Sequence, residues 1–306
     1  MENKNLFTGL IGDFPKETDI PEDANFIKLE DETSLWPQFH PYVVYDTKDG
    51  VDLHLQIMAP YSYRAAEQSY PLVVYVQGSA WMKQDIYEHL YEMLYLCRKG
   101  YAVAIVEYRG TEIAPFPAQI EDAKTAVRYM RSHAAEYLID PDRIAYWGDS
   151  SGGHTVLMAM LTNENKYDNG TYGDVSCRVK CLVDWYGPTN MQTMGDFPSM
   201  VDHLAADGPE GLLLRGNSAP DVPELAAEAS PINYLDGNDD IVPICILHGN
   251  ADEQVPLNQS VTFYNRLKEL GKPVELNVLD GAHHAWGGFM NTDVMNICSE
   301  FLKKYL

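Results

Sequence analysis

The chain has 306 residues, enough for one large α/β domain with a sizeable core. Hydrophobic residues make up 45% and charged residues 22%, as in ordinary globular enzymes, yet 45 acidic against 22 basic side chains leave a formal net charge of −23. Such a field repels phosphate backbones and anionic lipid, so the expectation is no nucleic-acid partner and no membrane partner.

The remaining composition narrows the class further. No stretch reaches the roughly 18 apolar residues of a membrane span. Residues 1–6 open no long apolar run, which gives the expectation of a cytoplasmic protein without a secretory leader. Five cysteines (Cys97, Cys177, Cys181, Cys245 and Cys298) are scattered and odd in number, as free core thiols in a reducing compartment would be. None lies in a cluster with metal-ligand spacing, so no metal is expected.

In chain order, residues 1–40 are acidic, proline-punctuated and aperiodic, and read as an N-terminal arm that wraps the core or lies over the site. Residues 43–45 and 51–58 alternate around Lys48-Asp49-Gly50, an antiparallel hairpin at a sheet edge. From Leu72 the pattern becomes strand, helix, strand, helix, the mark of a parallel sheet covered on both faces. Strands are predicted at 72–76, 101–107, 143–147, 179–185, 242–247 and 274–279. Helices are predicted at 86–99, 120–137, 155–161, 258–270 and 294–305. Residues 187–235 interrupt this rhythm with Met191, Met194, Phe197, Met200 and a leucine cluster. They read as a lid or pocket-forming insertion, with methionines and aromatics suited to an adaptable apolar pocket.

One motif carries the chemistry. Gly148-Asp149-Ser150-Ser151-Gly152 lies between a β-branched and aromatic strand and an apolar helix. In that context G-x-S-x-G marks a strained strand-to-helix turn that presents the central serine, here Ser150, to substrate. A serine hydroxyl is a poor nucleophile and needs a base with a group to orient it. Two later strands end in loops carrying Asp252 and Glu253, then His283 and His284, in the order Ser, acid, His. Ligands bind at that carboxyl edge of a parallel sheet. Asp252 is favoured over Glu253, and His284 over His283. The small-residue loop Gln77-Gly78-Ser79-Ala80-Trp81 ends the first parallel strand, so the amides of Ser79, Ala80 and Ser151 are the candidate oxyanion donors. Trp81, Tyr186 and Trp286 adjoin these loops and are candidate substrate contacts.

Together these segments resemble an α/β-hydrolase of the hormone-sensitive-lipase-like group, and within it the bacterial feruloyl and acetyl esterases. Tyr108-Arg109-Gly110, Asp140-Pro141-Asp142-Arg143-Ile144, residues 148–154, residues 229–234, His248-Gly249-Asn250-Ala251-Asp252 and Gly281-Ala282-His283-His284 carry the resemblance, which runs from about residue 43 to the C-terminus. It implies the triad Ser150, Asp252 and His284, no cofactor, and hydrolysis of short acyl esters, acetyl or feruloyl, on sugars or small alcohols. The chain departs from the family's His-Gly-Gly at the oxyanion loop, having Gln77-Gly78-Ser79 instead; the hole survives if the φ of Ser79 suits a side chain. The expected partner is a small-molecule or oligosaccharide ester, and self-association into a homo-oligomer is left open. A prolyl-oligopeptidase-like peptidase and a non-catalytic hydrolase-fold binding protein are the alternative readings.

Overall fold

The computed structural model describes residues 15, 17–27, 36–61 and 69–306. Two compact units divide the chain, 1–34 and 35–306. Of the first, the described residues are exposed and contain one turn, in which the Ala24 amide donates to the Pro21 carbonyl. Most of the predicted N-terminal arm lies outside the described residues.

The second unit is built on an eight-stranded sheet. Its strands are β1 (Trp36–Lys48), β2 (Val51–Tyr61), β3 (Tyr70–Val76), β4 (Ala102–Val106), β5 (Ile139–Asp149), β6 (Cys181–Trp185), β7 (Ile244–Gly249) and β8 (Val274–Leu279), ordered β1-β2-β4-β3-β5-β6-β7-β8. β1 and β2 form the predicted antiparallel hairpin. Asp49 and Gly50 both hold positive φ at its turn (50° and 79°), as a primed two-residue turn requires. β2 also runs antiparallel to β4, and from β4 through β8 every pairing is parallel. This is the expected α/β-hydrolase architecture, a mostly parallel sheet with an antiparallel edge.

One boundary is corrected. The aperiodic arm was expected to reach residue 40, but Trp36 to His40 already pair with β2. Pro37 and Pro41 disguised this strand, and proline is tolerated there because β1 is an edge strand with one side unpaired.

Helices cover both faces. α2 (Ala118–Ser132), α3 (Ser151–Leu161) and α6 (Asn258–Glu269) bury Ile120, Val127, Val156, Leu157 and Phe263 against one face. α1 (Leu90–Arg98) and α7 (Thr292–Tyr305) bury Met93, Leu96, Cys298 and Phe301 against the other. The interior strands β3 to β7 are apolar on both sides for that reason. α1 starts four residues later than its apolar pattern suggests. The Asp85 side chain and carbonyl accept from the amides of Tyr87 and Glu88, a local turn that competes with the first helical turn.

The insertion at 187–235 holds only two short helices, α4 (Pro209–Leu213) and α5 (Pro223–Glu228), and three-residue to four-residue turns of tighter helix. It is latched to the β7–α6 connection and to the first turn of α6. Met200 N and Ser199 Oγ both donate to the Glu253 carbonyl, and Thr189 Oγ1 donates to the Gln259 carbonyl.

Candidate active site

Ser150 sits where β5 turns into α3, with φ 52° and ψ −127°. A non-glycine residue in that region is strained, and the strain is held by close packing around it. A Cβ on Gly148 would lie 2.4 Å from the Gly152 carbonyl oxygen, and one on Gly152 would lie 2.0 Å from that of Val76. The glycines of the motif are therefore set by the approach of α3 to β3 and β5. The Ser150 amide donates to the Trp185 carbonyl at 2.8 Å, which ties the turn to β6.

The loops after β7 and β8 bring the other two residues to the same edge. Ser150 Oγ lies 2.9 Å from His284 Nε2, and His284 Nδ1 lies 2.8 Å from Asp252 Oδ2. A carboxylate only accepts, so the ring proton of His284 resides on Nδ1 and Nε2 is left as an acceptor for the serine hydroxyl. The Asp252 side chain is fully buried, and its Oδ1 accepts from the amides of Gln254 and Val255 at 2.9 Å each. Burial works to raise its pKa, but hydrogen bonds from His248 and His284 outweigh burial and hold the carboxyl well below the usual range.

Glu253 and His283, the alternatives left open by the sequence, pair with each other. Glu253 Oε2 accepts from His283 Nδ1 at 2.9 Å, and both side chains of that pair stand partly in solvent. The pair braces the loop, since the His284 amide also points to Glu253.

His248 was not anticipated. Its Nε2 donates to the Val255 carbonyl at 2.9 Å and lies 3.3 Å from Asp252 Oδ2, while Nδ1 accepts from Ser260 Oγ at 2.7 Å. It is a fully buried donor that fixes the carboxylate from behind. Nothing in the sequence separated it from a strand-end histidine of no consequence.

The oxyanion loop departs from expectation at one donor. The Ser79 amide donates to Ser151 Oγ at 2.8 Å, so it is consumed inside the protein and does not face Ser150. Gly78 is likewise committed, to Asp149 Oδ1 at 3.0 Å. Among the described residues, the amides of Ala80 and Ser151 have no partner, and these two remain as donors. Ser79 keeps a negative φ, so serine in place of glycine costs little there; Ala80 and Trp81 take the strained values, 54° and 57°.

Side chains hold this loop in place. Tyr75 Oη donates to Asp149 Oδ1 at 2.6 Å, and Ser79 Oγ lies 2.9 Å from Tyr108 Oη. Trp81 Nε1 donates to His154 Nδ1 at 3.0 Å, while His154 Nε2 donates to the Ala229 carbonyl at 2.8 Å. Burial pushes the His154 pKa down to about 4, so the ring stays neutral and can accept the indole proton. Asp149 and His154 are thus loop-holding residues that the motif alone did not reveal.

The three candidate substrate contacts separate. Trp81 lines the cleft beside Ser150. Tyr186 is buried, with its ring 4.7 Å from that of His284 in an edge-on arrangement, and supports the imidazole from beneath. Trp286 is 76% exposed and stands apart from the cleft. The cleft itself is small, about 40 Å3, and its far wall comes from the insertion through Val201, His203, Pro209 and Glu210. The methionines expected to line it do not. Met191 and Met194 are buried elsewhere in the core, and Met200 is exposed.

With this geometry in view, the chain can be set against known proteins. The BD-FAE family model matches residues 55–267. The probable carboxylic ester hydrolase LipM of Mycobacterium tuberculosis is 28% identical over 221 residues, which is 71% of this chain and 49% of LipM. The esterase LipQ of the same organism is also 28% identical, over 71% of this chain and 50% of its own. The chain thus spans about half the length of these curated relatives. A solved truncated form of a carbohydrate esterase from gut microbiota superposes with a TM-score of 0.76 at 30% identity, covering 90% of this chain and 98% of that one. A thermophilic esterase of Thermogutta terrifontis, 22% identical, shares the fold with a TM-score of 0.70 over 88% of this chain and 94% of its own. The chain belongs to the BD-FAE family and has the α/β-hydrolase fold.

Proposed function

We propose that this protein is a serine carboxylesterase that removes short acyl groups, acetyl foremost, from sugars or small alcohols. The observation that carries the reading is the unbroken relay from Ser150 Oγ to His284 to Asp252, at 2.9 and 2.8 Å. His284 takes the serine proton as Oγ attacks the ester carbonyl, and Asp252 stabilises the imidazolium that forms. The Ala80 and Ser151 amides receive the developing oxyanion. His284 then returns the proton to the leaving alcohol, and water releases the acyl group by the reverse route.

The short-acyl reading is supported by the resemblance to acetyl and feruloyl esterases, and the cleft beside Ser150 is walled by Trp81, Pro188, Val201 and Val255. A carbohydrate alcohol is supported by the likeness to the gut-microbial carbohydrate esterase. The test is hydrolysis of p-nitrophenyl acetate, butyrate and octanoate by the wild type and by Ser150→Ala. The expected result is a rate that falls with chain length and a variant slower by several orders of magnitude. Activity that climbs toward octanoate sinks the short-acyl reading, and equal rates for the two proteins sink Ser150 as nucleophile.

A further inference from the structure

The insertion reaches the catalytic carboxylate through backbone. Asp252 Oδ1 accepts from the amides of Gln254 and Val255, at 2.9 Å each. Each amide shares a peptide unit with the carbonyl of the residue before it, Glu253 or Gln254, and both units are trans. A trans peptide points its N–H and C=O in opposite directions, so whatever grips the carbonyl also aims the amide. Both carbonyls are gripped by the insertion. That of Glu253 accepts from the Met200 amide at 2.8 Å and from Ser199 Oγ at 3.2 Å. That of Gln254 accepts from Ser199 Oγ and from His203 Nε2, at 2.9 Å each.

His203 is the charged member of this grip. A carbonyl accepts only, so Nε2 carries a proton. Nδ1 lies 3.0 Å from Glu210 Oε1 on α4, and both side chains are buried. Burial opposes a charged ring, yet the Glu210 hydrogen bond and charge outweigh it and hold the His203 pKa above its ordinary value. A buried ion pair is commonly no more stabilising than apolar residues of the same volume, so stability alone does not account for the pair. A donor on a cationic ring bonds more strongly than a neutral one, and hydrogen bonds in series polarise one another. The series here runs from Glu210 through His203, the 254–255 peptide, Asp252 and His284 to Ser150.

We propose that His203 is a positioning residue for the catalytic triad: it fixes the 254–255 peptide so that the Val255 amide stays aimed at Asp252, and through Asp252 it fixes the imidazole of His284. The insertion then sets the catalytic acid as well as walling the cleft. This rests on the esterase reading above and deepens it. Two substitutions separate the donor from the packing. His203→Gln and His203→Leu both break the pair with Glu210. Glutamine alone can place an amide NH2 where Nε2 stood, and so keeps the hydrogen bond to the Gln254 carbonyl. Kinetics on p-nitrophenyl acetate, per folded chain as judged by circular dichroism, are read beside Tm.

His203→Leu should lose about tenfold or more in kcat with KM moving by less than about threefold, because a small misplacement of the triad acts on the chemical step. His203→Gln should recover most of that kcat, although both variants melt lower than the wild type. An unchanged kcat in His203→Leu overturns the proposal, whatever happens to Tm. A His203→Gln as slow as His203→Leu also overturns it, because the donor to Gln254 is then not what matters. Should His203→Leu fail to fold, Ser199→Ala removes the hydroxyl that touches both carbonyls. Its kcat is expected to fall by about threefold or more with KM held, and no fall overturns the proposal. A wild type inactive on p-nitrophenyl acetate removes the esterase reading and the proposal with it. An active wild type whose kcat is indifferent to position 203 removes only the proposal.

Discussion

At the scale of single residues, Asp252 bears most on the chemistry. It meets four donors: two backbone amides, His284 and His248. Its depressed pKa means that it stays ionised throughout the ordinary acid range, so an acid limb in the rate profile does not report its protonation. Asp252→Asn keeps the shape but presents an NH2 where His284 needs an acceptor. The expected loss in kcat is on the order of 10^4, with the fold retained, as circular dichroism would show. A loss below about tenfold would mean that the imidazole is oriented by something else. Asp252 and His284 were legible in the sequence because three loop residues had to be explained in one chain order. His248 was not, since a buried histidine at a strand end carries no spacing signal. Its role exists only through the fold of the loop that follows, which brings Val255, Ser260 and Asp252 against its ring.

At the scale of elements, the junction of β3, β5 and α3 determines whether a site exists at all. The Cβ of Gly152→Ala would fall 2.0 Å from the backbone oxygen of Val76, which no side-chain adjustment relieves. That variant is expected to be insoluble or to lose several degrees in Tm, a consequence of overpacking against backbone. A normal melting curve would contradict the close approach described. Asp149→Ala tests the adjoining loop in a milder way. It releases Gly78 and Tyr75, so the Ala80 amide loses its fixed direction, and kcat should fall about tenfold or more with a smaller change in KM. An unchanged kcat would show that the loop holds itself. The strand and helix at this junction were readable from β-branched and apolar runs. The donor pair was not, because which amide faces Ser150 depends on φ at Ala80 and Trp81 and on the diversion of Ser79 to Ser151. Which side chains of the insertion reach the cleft was not legible for a similar reason. Short helices of five and six residues leave too little periodicity to tell which side chains turn inward.

At the scale of the whole molecule, two buried titratable groups on the site's flanks bend stability with pH in opposite directions. Burial depresses His154 to about 4, so it folds neutral. Its contribution is complete above its ordinary pKa near 6.5 and is lost as pH falls toward 4. Asp184 on β6 is fully buried, with Oδ1 accepting from the Gly187 amide, and burial raises its pKa to about 7. Its contribution is complete below the ordinary carboxylate pKa and is lost as pH rises toward 7. Asp184→Asn keeps the acceptor for Gly187 and removes the ionisation. The Tm difference between Asp184→Asn and wild type should therefore move in favour of the variant as pH rises from about 4 to about 7, by the equivalent of a few kcal/mol. A difference that stays constant across this window would show that Asp184 is not titrating there. The sheet order and the carboxyl-edge placement of all three triad candidates, by contrast, were legible in the alternation of strands and helices, with only β1 hidden by its prolines.

The central claim, that Ser150 is the nucleophile of an esterase site, is tested most directly by intact mass after exposure to a fluorophosphonate, with peptide mapping of the adduct. The account predicts one adduct per wild-type chain, on the peptide containing Ser150, and none on Ser150→Ala. Labelling that persists in Ser150→Ala, or a wild type that takes up no adduct, would contradict it.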